Sequence, residues 1–277
     1  MQMQTAAPCR FFRIVRRNIQ GRLLFWQSMD PSQPLRPVSN RAAIQANGLL
    51  ASMPHDALGR LLPFLERVTL AAGQTLYSEN IELQHAYFPV DTLVCLMVSV
   101  NGHTPTKLAV VGLEGVVGIS VFMGSTQPHG RAVVLNPGHA FKIPAAVLKA
   151  EFDLNGLAMR LLLRFTQALV TQMAQTAVCN RHHLVEQQLC CWLLTCLDRL
   201  PQRSSLPITQ ADVANLLGVR REAVSQAAGN LRQLGLIDSR RGRMILLDRA
   251  GLQARACECY LVVKRETQRL LPDRPAS

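Results

Sequence analysis

Between residues 208 and 237 the chain reads ITQADVANLLGVRREAVSQAAGNLRQLGLI, and no other stretch restricts its folding so tightly. Two short helices can cross at a tight turn only with a small residue where they touch, a glycine at the turn, and apolar residues at fixed offsets. Ala214 and Gly218 fill the small positions, and Val213, Leu217, Val219, Val224 and Ala227 fill the apolar ones. Thr209 is placed to cap the first helix. The spacing predicts a helix-turn-helix.

The face of the second helix left over by that packing carries Arg220, Arg221, Glu222, Ser225, Gln226 and Asn230. Arg binds guanine through two hydrogen bonds, Glu accepts from cytosine and Gln pairs with adenine, so the set has the chemistry of base reading. Thr209, Arg220 and Arg232 suit phosphates, which fix register without reading sequence. Beyond Ile237, two apolar segments flank Arg240-Arg241-Gly242-Arg243. They predict a β-wing whose arginines, Arg241 and Arg243 among them, reach the backbone of a duplex.

Charge follows the same division. The chain has 277 residues, with 30 Lys and Arg against 18 Asp and Glu. Divided along its length, the net charge is +5 over residues 1–40, +1 over 41–202 and +6 over 203–277. A basic terminal module beside a neutral body fits nucleic-acid binding. The longest apolar runs, such as Leu93 to Val98, fall far short of the ~20 residues that a spanning helix needs, and no membrane association is expected.

Upstream, short apolar segments alternate with turn residues: Val68 to Leu70, Thr75 to Tyr77, Ala86 to Phe88, Leu93 to Val100, Lys107 to Val111, Val116 to Ile119, Arg131 to Leu135 and Ala140 to Ile143. Many short strands at near-regular spacing predict an antiparallel barrel or sandwich. A helical entry over about Gly48 to Val68 precedes them. From Asp153 the period becomes helical, with Leu154, Leu157, Leu161, Phe165, Ala168, Leu169, Met173 and Ala177 at steps of three and four. Leu162, Leu163 and Val170 widen this stripe beyond what one barrel can cover. A matching helix of a second copy is expected, with Leu157, Leu161, Phe165, Leu169 and Met173 at the interface. A second helical block runs from Leu184 to Leu200.

The eight cysteines, Cys9, Cys95, Cys179, Cys190, Cys191, Cys196, Cys257 and Cys259, include several inside helical patterns, which fits reduced thiols in cytoplasm. Neither Cys190-Cys191-x4-Cys196 nor Cys257-x-Cys259 matches a usual zinc or iron–sulfur spacing. His182 and His183 point about 100° apart on a helix and do not readily share one ion. No metal and no cofactor are expected. An enzyme on the barrel would need a clustered His and carboxylate site that the sequence does not show, so the chain is read as no enzyme.

A barrel of short strands, a long helix and a winged helix-turn-helix with Arg221-Glu222-x-Val224-Ser225 resemble the cyclic-AMP receptor protein/Fnr family of bacterial transcription regulators, from about Gly48 to Leu271. The resemblance implies an α+β fold in four parts. They are a basic, Pro-rich leader over 1–47, a cyclic-nucleotide-binding-like antiparallel β-roll over 48–152, a dimerisation helix over 153–182 and a winged helix-turn-helix over 183–271. It also implies that Arg221 and Glu222 occupy the main base-reading positions, with Gln226 where a second Arg is common. The effector pocket would include Gly118, Ile119, Ser120 and Arg131. Members that bind cyclic AMP hold the ribose with a Glu after the glycine, whereas this chain has Gly118-Ile119-Ser120. The N-terminal cysteine cluster of oxygen-sensing members is also missing, since Cys9 stands alone there.

The partners implied are double-stranded DNA, a second copy of the chain, RNA polymerase and an unidentified small-molecule effector. A rival reading is an effector-free or thiol-redox-responsive repressor switched by Cys179, Cys190, Cys191 and Cys196. The leader carries Arg10, Arg13, Arg16, Arg17 and Arg22 among bulky apolar residues, and Met29 is the expected start of translation.

Overall fold

The structure, a computed structural model, describes residues 44–99, 105–125, 127–200, 203–240 and 242–271. The expectations about residues 1–43, and about Arg241, lie outside these. Two short helices, α1 (Gly48–Ala51) and α2 (His55–Leu61), lead into the strands. Asn47 caps α1 by accepting from the Leu50 N–H, while its amide nitrogen donates to the Pro89 and Gly115 carbonyls at 2.8 and 2.9 Å. That fully buried amide is thus satisfied and ties the first helix to two distant segments.

Among the described residues seven strands follow: β1 (Glu66–Leu70), β2 (Thr75–Tyr77), β3 (His85–Pro89), β4 (Leu93–Val98), β5 (Thr106–Val111), β6 (Arg131–Asn136) and β7 (Gly138–Pro144). They pair antiparallel in two sheets, ordered β1-β7-β3 and β2-β6-β4-β5. Phe88 and Phe141 from one sheet and Val94, Ala109, Val111 and Val134 from the other share one core. The run Leu93 to Met97 shows no polar alternation because β4 is covered on both faces. Val94 and Leu96 face the core of the roll, and Leu93, Cys95 and Met97 join a second core with the C-terminal helices.

One expected strand is absent. Val116 to Ile119 makes only an isolated bridge, in which Val117 and Tyr87 exchange backbone hydrogen bonds of 2.8 and 3.0 Å. Gly118, at φ +104, then turns the chain into a 3-10 segment, Ile119–Val121. A left-handed glycine ends a strand that apolar content alone would continue.

The helical region also begins differently. Helix α3 (Ala145–Asp153) closes the roll, the chain breaks at Leu154 to Gly156 with Asn155 at φ +56, and the long helix α4 runs over Leu157–His182. Leu154, expected on the apolar stripe, is exposed in that break. After α4 come α5 (Val185–Asp198), β8 (Ser205–Leu206), α6 (Gln210–Leu217), α7 (Arg221–Gln233), β9 (Ile237–Arg240), β10 (Arg243–Leu246), α8 (Arg249–Arg255) and α9 (Glu258–Leu270). Helix α9 packs along α4, and β8-β10-β9 form a small antiparallel sheet. Among the described residues no helix is long and apolar enough to cross a membrane.

Candidate nucleic-acid interface

Helix α6 starts at a reciprocal cap. The Thr209 hydroxyl accepts from the Asp212 N–H at 3.1 Å, and the Asp212 carboxylate accepts from the Thr209 N–H at 3.1 Å. The helix ends at Gly218, whose φ of +67 lets the Val219 N–H return to the Ala214 carbonyl at 3.0 Å. Arg220, in extended conformation, then opens α7. Val213, Ala214, Leu217, Val224 and Ala227 are buried where the helices meet, and Val219 is half-buried beside them. The Ser225 hydroxyl donates to Gln210 Oε1 at 2.8 Å and cross-links the two helices.

Packing of that face leaves Arg220, Arg221, Glu222, Gln226 and Arg232 exposed on α7. None of them makes an ion pair or side-chain hydrogen bond among the described residues, so their polar groups are open to a ligand. Arg232 lies eleven residues past Arg221, which places it within about 20° around the helix and roughly 16 Å farther along it. Two further residues find partners within the chain. The Thr209 hydroxyl is already engaged in the cap, and Asn230 turns to Glu186 on α5 at 3.2 Å.

Strands β9 and β10 form the wing, with Arg243 opposite Arg240 and Gly242 at φ +75 in the connection. Among the described residues Arg243 is exposed and free of ion pairs, whereas Arg240 is held by Asp238 at 2.6 Å. Strand β8 pairs with β10 on its other edge, with Leu206 opposite Met244.

The expected effector residues are more dispersed. Gly118 lies against Leu83 and Ala86, so a side chain there would meet Leu83 at 2.9 Å. Ile119 packs on the core of the roll. Arg131 begins β6 opposite Met97, with its Nε buried and unpartnered. No hydrogen bond or ion pair joins Arg131 to residues 118–120 among the described residues.

The expected dimer face needs correction. Leu161, Phe165 and Leu169 are 6, 2 and 3% exposed and belong to the core of their own chain, and Met173 packs beside them. Leu157, 63% exposed, stays open. The uncovered stripe of α4 runs instead through Leu163, Gln167, Val170, Ala174 and Ala177, with Val178 alongside.

The cysteines also assemble differently from the expected switch set. Cys179, Cys191, Cys257 and Cys259 converge near His183, whereas Cys190 and Cys196 point elsewhere in the second core. Burial pushes the Cys190 and Cys196 thiols up to about 12, so neither is a poised nucleophile at neutral pH. The convergent set was not visible as a motif because its members lie on three helices. The local signals were two pairs, Cys179-x3-His183 at i, i+4 on one helical face and Cys257-x-Cys259.

Comparison with known proteins agrees with this geometry. Residues 187–255 match the family model of the Crp-like helix-turn-helix domain. A regulator assigned to the Crp/Fnr family from Eubacterium rectale superposes with a TM-score of 0.60 at 15% identity, covering 76% of this chain and 98% of that one. FixK2 from Bradyrhizobium japonicum gives 0.60 at 15% identity, with 70% and 98% covered. A CRP-family transcriptional regulator from Thermus thermophilus gives 0.57 at 18%, with 68% and 96% covered. No curated protein sequence matches the chain significantly. The chain thus carries a Crp-like helix-turn-helix domain on the fold of the Crp/Fnr family of transcription regulators.

Proposed function

We propose that this protein is a cytoplasmic transcription regulator that reads an inverted-repeat operator as a homodimer. The observation that carries the reading is the start of α7. There Arg220, Arg221, Glu222 and Gln226 stand exposed and, among the described residues, unpaired beyond the Gly218 turn, on a helix buried by Val224, Ala227 and Leu231. Such a helix inserts its N-terminal residues into the major groove. Arg221 and Glu222 read bases, with Gln226 one turn on. Arg220, Arg232 and Arg243 neutralise phosphates on either side.

Dimerisation uses the open stripe of α4. Leu163, Gln167, Val170, Ala174 and Ala177 recur at alternating steps of four and three, the spacing of a coiled-coil seam. Exposed apolar residues at that spacing need a cover, and a second copy of the same helix supplies one with two-fold symmetry. A small-molecule signal at the β-roll biases the dimer. RNA polymerase is the downstream partner of such a regulator.

Selection of purified protein against random duplex DNA at two salt concentrations tests this. An enriched inverted repeat with half-site centres about one helical turn, or 34–36 Å, apart is expected. Binding that is salt-sensitive and blind to sequence at both concentrations would overturn it.

A further inference from the structure

Helix α4 ends where α9 begins, and four potential metal ligands meet there. Cys179 lies in the last turn of α4, and His183 follows at its C-cap. Cys257 is the N-cap of α9, and Cys259 lies in its first turn. One ligand atom from each, three Sγ and a histidine nitrogen, lies within 4.8 Å of the other three. Cys179 Sγ is 3.6 Å from Cys257 Sγ, and Cys259 Sγ is 3.6 Å from His183 Nδ1. A tetrahedral zinc with bonds of about 2.3 Å to sulfur has ligand-to-ligand edges of roughly 3.8 Å. The protein thus presents two edges of such a tetrahedron nearly formed.

We propose that Cys179, His183, Cys257 and Cys259 form a structural zinc site that fastens α9 and the DNA-binding domain to the end of the long helix.

Three independent features point the same way. The first is the orientation of the histidine: its Nδ1 faces the thiols, while Nε2 lies 3.3 Å from Glu258 Oε1. A metal-bound histidine commonly gives its second ring N–H to a carboxylate, which fixes the tautomer and leaves the other nitrogen as donor to the metal. The second is the placement of the helix ends. The positive N-terminal end of α9 favours thiolates at Cys257 and Cys259, and the negative C-terminal end of α4 favours a cation beside Cys179.

The third is Lys107. This lysine is 8% exposed and has no carboxylate partner among the described residues, yet it lines a cavity of about 40 Å³ with Cys179, Cys191 and Cys259. An unpaired buried ammonium is costly. Three thiolates on a dication leave one net negative charge beside it, and so supply its counter-ion.

Cys191 on α5 stands 3.2 Å from Cys257 Sγ but outside the four-ligand set. It is a neighbour of the site and the natural substitute if one thiolate is lost. Binding balances as two groups exchanging: zinc enters, and three thiol protons leave to solvent. No oxidant takes part. The site does not depend on the DNA-binding reading, since it can be tested on the free protein.

The test uses the full chain, purified under reducing conditions. Elemental analysis is expected to find about one zinc per chain. Titration of chelator-stripped protein with cobalt(II) is expected to give the ligand-field and thiolate charge-transfer absorption of a tetrahedral site, saturating at one equivalent. Cys257→Ser combined with Cys259→Ser should abolish both signals, whereas Cys196→Ser should leave them intact. His183→Gln should keep the thiolate bands and weaken cobalt binding by 10-fold or more. Thermal unfolding followed by circular dichroism confirms that each variant folds, and the cobalt spectrum of the unmutated chain needs no variant at all. The proposal is overturned if reduced protein takes up neither metal. It is also overturned if the double serine variant binds as tightly as the parent, if the isolated protein shows iron–sulfur absorption, or if Cys257 is found in a disulfide with Cys179 or Cys191.

Discussion

Arg199 donates from Nε to Glu114 at 2.7 Å, joining the end of α5 to the loop after β5 across 85 positions of sequence. The same guanidinium donates to Gln172 on α4 at 3.0 Å and to the Thr195 carbonyl at 3.0 Å. One side chain therefore links the roll, the long helix and the DNA-binding domain. Gly112 permits the approach, because a Cβ there would lie 2.6 Å from Arg199 Cβ.

Removing that guanidinium leaves Gln172 without its donor and Glu114 with the Gly112 N–H alone, in a mostly buried place. Arg199→Met is expected to lower unfolding free energy by about 2–3 kcal/mol in urea titration. Glu114→Gln, which keeps an acceptor, should cost less. Equal stability of the parent and Arg199→Met would show that the junction is held by packing alone.

Gly218 offers a cleaner measure of backbone cost. A Cβ there meets nothing within 4 Å, so Gly218→Ala adds no clash and changes only the left-handed conformation. The expected loss is about 1–2 kcal/mol, with Gly218→Asn intermediate. A change indistinguishable from zero would mean that the turn readjusts.

These two sites differ in how far the sequence exposed them. The helix-turn-helix was legible because each of its determinants lies within about ten residues of its partner: the Thr209 cap, the Gly218 turn and the offsets of Val213, Leu217 and Val224. The strand positions were legible for the same reason, except at Val116 to Ile119, where Gly118 decided the backbone and the apolar content did not. On α4 the period revealed apolar faces but not which of them the chain keeps for itself. The larger residues, Leu161, Phe165 and Leu169, were assigned to a partner, yet the core of the roll takes them and leaves the smaller stripe open. The Arg199 junction joins residues tens of positions apart, as does the meeting of the Cys179–His183 pair with the Cys257–Cys259 pair, and no local spacing encodes either meeting.

Base reading at α7 predicts a loss confined to the selected operator. Arg221→Ala should weaken binding to it by about 1–3 kcal/mol, measured by fluorescence anisotropy, with binding to unrelated duplex almost unchanged. An equal loss on both duplexes would reassign Arg221 to phosphate.

Acid stability should carry the mark of Asp91. Burial opposes ionisation of its carboxyl, but the His139 backbone N–H, the His139 ring and Arg203 together outweigh it and hold the pKa below the ordinary value. A depressed folded-state pKa stabilises the fold above the unfolded carboxylate value, and the contribution disappears as pH falls through the lowered one. Asp91→Asn should therefore lower thermal stability near neutrality and flatten its further loss on acidification below about pH 4, so that parent and variant converge in acid. Parallel melting curves for parent and variant at every pH would remove Asp91 from the acid response.

The two faces of α4 make opposite predictions for one kind of substitution. Val170 is 50% exposed on the open stripe, so Val170→Glu should leave the fold intact while its charge, repeated across a two-fold axis, separates the copies. Sedimentation velocity should then report a dimer for the parent and a folded monomer for the variant. Phe165 is 2% exposed, and its ring fills the space where a Gly115 side chain would stand, 2.0 Å from that Cβ position. Phe165→Ala should cost about 3–5 kcal/mol of stability through the cavity it leaves, with folded molecules still dimeric. A dimeric Val170→Glu would place the interface elsewhere. A monomeric but fully stable Phe165→Ala would return it to the face that the core occupies.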